Sequence, residues 1–385
     1  GSDLLPLETI RLLVSRGADL NAKSDTGMTA LDYARLHGST PIVDLLTKAG
    51  AVAGVPARAP ALTPQPAHTV EAAIQRTLPI LQAADASFAR QAGCVSCHNQ
   101  GLTAMAVGAA RQAGFQIDDQ KATQQLRMMA TVYGDRRDLI LQHTAGGGGQ
   151  TEISYSLIAL HALGAPPDLT TDAMVRFVKS RQWAEGHFGG ADASTRPPHG
   201  SGMIGRTALG VRSLQLYAPA MEKAAYEQSV RVAAAWLARA PVRTGEDRAF
   251  RLLGLAWAKA DRAMIDAARR DLVAHQRGDG GWSDIPSLAS GAHATSLSLV
   301  ALHEAGVSPG DTVYTRGVEF LLKTQQADGS WYAATRAVPI QPYFDAGFPY
   351  GHDQWISTAA TSWATMALVP AAREPSRLTQ AGQTP

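Results

Sequence analysis

The chain has 385 residues, 45% of them apolar, with 35 basic and 33 acidic side chains and a formal net charge of +2. Such a length and composition support more than one domain and a large buried core. The interspersed, nearly balanced charge excludes the basic footprint of a nucleic-acid binder, and no apolar run reaches the roughly eighteen residues of a membrane span.

The chain opens with Gly1-Ser2 inside a helical pattern and therefore reads as N-terminally truncated. Within residues 1–51, the run Asp25-Thr-Gly-Met-Thr-Ala-Leu-Asp32-Tyr-Ala and its continuation to Ala51 resemble an ankyrin repeat, with Asp32 where the family often has His. Thr9 to Ala22 reads as the second helix and hairpin of a preceding repeat. One and a half repeats cannot bury their own stacking faces, so further repeats or a dock onto the rest of the chain are implied. The resemblance implies a protein partner or a spacer role. Residues 52–68, with Pro56, Pro60, Pro64 and Pro66, make an extended, semi-rigid linker.

From Thr69 the pattern is helical almost throughout. Segments 69–91, 118–142, 169–181, 223–240, 262–276 and 311–326 are amphipathic with charged faces. Segments 102–114, 152–163, 205–217, 246–260, 293–305 and 355–369 are rich in small residues and apolar nearly all round. The first kind keeps one wet face and the second must be buried. Strict alternation of the two predicts an all-α architecture, ankyrin helix pairs followed by an (α/α)6 toroid over 69–371, with a flexible tail at 372–385.

Three outer-helix ends share a pattern: Gln182-x-x-x-Gly186-x-Phe188, Gln276-x-x-x-Gly280-x-Trp282 and Gln325-x-x-x-Gly329-x-Trp331. Here the chain resembles the α/α-toroid superfamily of squalene-hopene cyclases and protein prenyltransferases, whose QW motif is Q-x-x-x-G-x-W. Glycine permits a tight helix exit, the aromatic plugs the gap between helix pairs, and glutamine bonds free backbone groups. The resemblance implies fold rather than chemistry. The cyclases' D-x-D-D acid motif is missing; Glu246-Asp247 and Asp192 do not match it. The prenyltransferases' zinc set of Asp, Cys and His has no free counterpart if the cysteines are otherwise engaged.

Those cysteines, Cys94 and Cys97, are the only two in the chain and stand in the sequence Cys94-Val-Ser-Cys97-His98. C-x-x-C-H is the attachment signature of c-type haem: two thiols form thioethers with the porphyrin vinyls and the adjacent imidazole is the proximal ligand. A redox dithiol would open a helix in a βαβ context, a structural zinc site would need a further Cys or His pair, and two unmodified thiols are the remaining reading. Gly-Cys-Val-Ser-Cys-His ahead of a domain ending in Phe348-Pro-Tyr-Gly-His352-Asp-Gln-Trp-Ile-Ser is similar to bacterial proteins that combine ankyrin or terpene-cyclase-like regions with a haem-binding motif. Covalent haem is attached outside the cytoplasm in bacteria, so the complete protein is expected to be periplasmic or otherwise exported.

In a toroid, every outer-to-inner connection emerges on the face bearing the inner-helix N-termini, and Cys94–His98 is one of them. Haem c is therefore expected at the mouth. On the same face, the glycine run 146–149 permits close approach, and Arg196, His199 and Arg206 are candidates to pair with propionates. Glu246, Asp247 and Arg248 read as a helix start. The long connection 331–354 is dense in aromatic and polar groups. The distal iron ligand is left open among His199, His293 and His352. Met105, Met128, Met129 and Met203 are thioether candidates that read more simply as core, and His143 and His161 read as helix-end or interior residues.

The leading expectation is an exported c-type haem protein with a redox role. With both axial positions filled it would transfer electrons to a redox partner. With an open site it would carry out peroxide or small-molecule chemistry as an oxidoreductase, with Arg206, His293 and His352 as catalytic groups. The alternatives are a haem-free terpenoid or polyprenyl enzyme, using Asp247 or Asp353 as its acid, and a non-catalytic ankyrin and toroid scaffold.

Overall fold

The structure, a computed structural model, describes residues 6–55, 60–144, 149–189, 196–199, 202–338 and 342–373. Three short helices come first: α1 (Leu7–Ser15), α2 (Ala30–Arg35) and α3 (Pro41–Lys48). Leu31, Ala34, Ile42 and Leu46 form their core, with Leu7, Ile10 and Val14 packed on it. Asp32 shows why a carboxylate serves at its position: it accepts from Thr29 N at 2.8 Å, closing the α2 capping box, and from Gly54 N at 2.7 Å. Desolvation opposes its charge, but these hydrogen bonds prevail and hold the carboxyl below its ordinary range.

The described linker residues 60–68 are bound rather than free. Gln65 N donates to Gln325 O at 2.8 Å, Ala67 N to Leu322 O at 3.2 Å and Ala327 N to Thr63 O at 3.0 Å. The ankyrin segment also docks, through Ser287 Oγ donating to His37 O at 2.7 Å.

Among the described residues, the rest of the chain is helical with no strands. The outer helices are α4 (Val70–Ala92), α6 (Asp119–Asp135) continued by α7 (Arg137–Leu141), α9 (Leu169–Ser180), α11 (Lys223–Arg239), α13 (Arg262–Ala274) and α15 (Thr312–Thr324). The inner helices are α5 (Leu102–Gln112), α8 (Gly149–Ala162), α10 (Met203–Tyr217), α12 (Gly245–Trp257), α14 (Ala292–Glu304) and α16 (Gln354–Arg373). Inner helices pack in the order α5, α8, α10, α12, α14, α16, and α16 returns to α5, so the ring is closed. Beyond shifts of a few residues at helix ends, two differences from the sequence reading stand out. The single outer segment 118–142 breaks at Arg136, where φ is −103° and ψ 5°, and α7 turns to pack on α9. Helix α16 runs through Ala372 and Arg373, beyond the expected start of the tail, and residues 374–385 lie outside the described residues.

The three repeated motifs are the mortar between pairs. Gln182 Nε2 donates to Gly186 O and to Ser229 O of the next outer helix at 3.1 and 2.8 Å. Gln276 Nε2 does the same to Gly280 O and Val313 O at 2.9 and 2.8 Å, and Gln325 Nε2 to Gly329 O and Ala73 O, both at 3.0 Å. The third copy thus ties the last outer helix to the first. The glycines have φ of +109°, +87° and +90°, and a Cβ on any of them would lie about 2.5 Å or less from a carbonyl oxygen of the next outer helix. The backbone N–H groups of the aromatic residues donate to threonines in the first two turns of the following inner helix: Phe188 to Thr207, Trp282 to Thr295 and Trp331 to Thr361. Both tryptophan indoles also donate to carbonyls of their own outer helix, Leu272 and Leu321, at 2.8 Å.

Candidate functional site at the toroid mouth

Helix α4 ends at Gly93, whose φ of +59° turns the chain out of the helix and into Cys94. Residues Cys97–Gly101 form a wide turn in which Gly101 N donates to Ser96 O at 2.9 Å. Two side chains close it: Ser96 Oγ accepts from Asn99 N at 3.0 Å, and Gln100 Oε1 accepts from Ser96 N at 2.8 Å. The turn is pressed onto α8, since a Cβ at Gly101 would stand 3.1 Å from Tyr155 Cβ. His98 contributes backbone to this turn, and its side chain lies outside what the structure describes.

Cys94 and Cys97 are both half-buried and unpaired. Burial, reinforced by the Glu152 carboxylate, pushes the Cys97 thiol up to about 12, against the opposing influence of Arg196. Burial and Glu152 also raise Cys94, with Arg136 opposing. Glu152, in the first turn of α8, accepts from Tyr133 Oη at 2.9 Å. Behind the turn, Gln125 Nε2 donates to Gln100 O at 2.9 Å and to Asp85 Oδ1 at 3.0 Å. Asp85 is buried, and desolvation raises its carboxyl well above the ordinary range, with the Gln125 bond opposing. Immediately after the cysteines, the buried polar atoms Asn99 Nδ2 and Oδ1, Gln100 Nε2 and Thr103 Oγ1 have no hydrogen-bond partner among the described residues.

Two of the candidate distal histidines come together. His199 and His293 are 2% and 1% exposed, with His293 Nε2 3.5 Å from His199 Nδ1. His293 Nδ1 lies 3.0 Å from Asp284 Oδ1, which requires the proton on Nδ1 of a neutral His293 and leaves Nε2 as acceptor toward His199. Arg336 Nη1 holds Asp284 Oδ2 at 3.3 Å. On its other side His199 packs on the Tyr155 ring, centroid to centroid 5.4 Å. Tyr155 is the residue on which Gly101 rests, so the histidine pair reaches the cysteine turn through a single aromatic side chain.

His352 stands apart, exposed, its ring 4.4 Å from Tyr343. Arg206 is half-buried in the first turn of α10; burial lowers its pKa, opposed by Glu246, and its Nε has no hydrogen-bond partner. Asp247 serves as helix cap, accepting from Thr244 N at 3.1 Å, and Arg248 bonds Thr244 O. That capping role occupies one of the two acids considered for a haem-free enzyme. The other, Asp353, accepts from Tyr332 Oη and Thr335 N, and burial raises its carboxyl above the ordinary range. Met105 and Met129 are buried in the core with Met128 packed against it, whereas Met203 is the first residue of α10. His143 follows the end of α7 with its Nδ1 3.0 Å from Ser180 Oγ, and His161 lies in the last turn of α8 against Tyr217. Gly146 to Gly148, Asp192 and Pro56 lie outside the described residues.

Sequence reasoning did not single out Tyr155, Glu152, Asp284, Asp85 or Arg336. Glu152 was findable, as an acid in the first turn of an otherwise apolar helix. Asp284 and Arg336 carry no local signal, because only chain return places them against His293.

The family model for ankyrin repeats (many copies) matches residues 6–47. Among curated protein sequences none matches the chain. A solved structure of a protein from Actinoplanes, 15% identical, superposes with a TM-score of 0.51 over 79% of this chain and all of that one; at that identity the likeness shows fold alone. Two structures of glycosidase variants, one in complex with glucose, are 11% identical with TM-scores of 0.48 and 0.46, each covering 78% of this chain and 97% of its own.

Proposed function

We propose that this protein holds haem covalently through Cys94 and Cys97, with His98 as proximal ligand, and that its role is redox, in an exported compartment. The observation that carries this reading is the state of the C-x-x-C-H turn. Its thiols sit in a half-buried, acid-flanked environment that disfavours thiolate, with Cys97 near 12. A redox dithiol works through its thiolate, which this environment disfavours. Thioether attachment leaves no thiolate to sustain.

The neighbouring residues suit such a group. Asn99, Gln100 and Thr103 offer buried polar atoms without a partner beside the cysteines, and unsatisfied atoms of that kind cost about 1–3 kcal/mol each unless something bonds them. Arg196 and Arg206 are the cations suited to propionates. Haem supplies one-electron chemistry when bound. The chain's own contribution is to exclude water with Tyr155 and the buried mouth, to place His199 as the foremost second-ligand candidate, and to fix its partner His293 through Asp284. His352, exposed and stacked on Tyr343, is the weaker candidate.

The test is a pyridine haemochrome assay on protein exported from a host with haem-maturation machinery. Colour that resists acid-acetone extraction, and is lost in Cys94→Ala with Cys97→Ala, is the expected result. Colourless protein after successful export would overturn the proposal.

A further inference from the structure

The docked ankyrin segment and linker create something neither part has alone. Between them and the toroid mouth lies a cleft of 410 Å³, within the range of about 300–1,000 Å³ typical of small-molecule sites. Leu36 from the ankyrin segment, Leu62 and Pro64 from the linker and Phe320 of α15 all belong to its lining. At one end the lining turns polar, with Asp284, His293 and Arg336, and Lys323 also belongs to the lining.

The charge of this lining is one-sided. Asp284 is its single carboxylate, and both its oxygens are engaged, one by His293 Nδ1 and the other by the buried Arg336. Lys323 adds a second cation, whose 4.0 Å pairing with Glu319 is loose and solvent-exposed on both sides. The buried Asp284–Arg336 pair compensates itself, so the lining keeps one excess positive charge, on Lys323, and a concave apolar surface with that excess complements a negative charge on an apolar body. We propose that this cleft binds a small organic anion, with its flat apolar body between Leu36, Leu62 and Phe320 and its carboxylate-type head toward the cationic lining. The ankyrin segment thereby lines a ligand site, a role distinct from recruiting a protein. The inference is independent of whether haem is attached.

Calorimetric titration of the full chain with 2-naphthoate, and with neutral 2-naphthamide as control, tests it. Saturable one-site binding of the naphthoate and weaker binding of the amide are expected. Ala289→Trp and Ala334→Trp replace exposed lining residues and fill the cleft from its surface, so each should abolish binding while melting temperature holds. Lys323→Glu should weaken binding by up to about fivefold, the scale of an exposed ion pair. Failure of both ligands to bind, binding that persists in both tryptophan variants, or equal affinity for the amide would each overturn the proposal.

Discussion

Two kinds of outer-to-inner connection meet at the mouth of this toroid, and they are built to opposite standards. In the connections at 276–282 and 325–331, the glutamine amide, the aromatic N–H and the indole all find partners, and glycine is the only residue that fits against the neighbouring helix. The Cys94–Thr103 connection is folded just as firmly by Ser96 and Gln100, yet it leaves buried polar atoms of Asn99, Gln100 and Thr103 unpartnered beside two half-buried thiols. Among the described residues the 325–331 connection leaves one buried polar atom without a partner, Gln326 Oε1, against four in the cysteine connection. The two kinds of connection occupy equivalent places in the ring and differ in how completely their buried polar groups are paired.

The comparison can be broken most severely on the structural side. Gly280→Val places a side chain against Arg316 O at a φ of +87°, and the loss should be at least about 3 kcal/mol, read as a fall in melting temperature by circular dichroism. Gln325→Ala removes donors to Ala73 O, Thr77 Oγ1 and Gly329 O where the ring closes. A cost of about 2–3 kcal/mol in urea unfolding is expected, and a loss below about 0.5 kcal/mol would show that closure rests on helix packing instead.

On the site side the effects should be smaller and partly reversed in sign. Asn99→Leu replaces unpartnered polar atoms and should raise the stability of haem-free protein by up to about 1 kcal/mol, while a clear loss would mean that Asn99 is structural. Asp85 sharpens the same contrast through pH. Its folded carboxyl titrates above the unfolded value of about 3.9, so the native state binds the extra proton and stability falls as pH rises from that value through the folded pKa. Asp85→Asn should flatten this dependence in urea midpoints taken from pH 4 upward; an unchanged slope would place the titrating group elsewhere. Cys94→Ala with Cys97→Ala should move stability least, within about 1 kcal/mol, since neither thiol makes a hydrogen bond the fold requires. Complete unfolding of that variant would make the turn part of the core.

Much of the architecture was legible in advance because it rests on periodicity. Alternating amphipathic and all-round apolar helices require an outer and an inner ring, and Gln, Gly and Trp at fixed offsets specify how the ring is joined. The break at Arg136 was not legible, because the outer helix is split by the packing of α7 on α9 and not by a proline or glycine pair. At the mouth, the cysteines stand out by spacing alone. The pairing of His199 with His293, and the separation of His352 from both, could not be read, since 94 residues lie between the first two.

By itself, then, the sequence determined the helices, their two-ring arrangement, the ankyrin character of the first segment and the place of Cys94–His98 on the mouth. These follow from short-range patterns, in which each residue's surroundings are set by neighbours a few positions away. Only the tertiary structure decided how completely each connection is satisfied, that Asp284 orients His293 toward His199, and that linker and ankyrin segment fold back to line a cleft. Those outcomes depend on which distant side chains are left facing each other once the ring has closed, and hydrogen-bond satisfaction is a property of that closed ring rather than of any stretch within it.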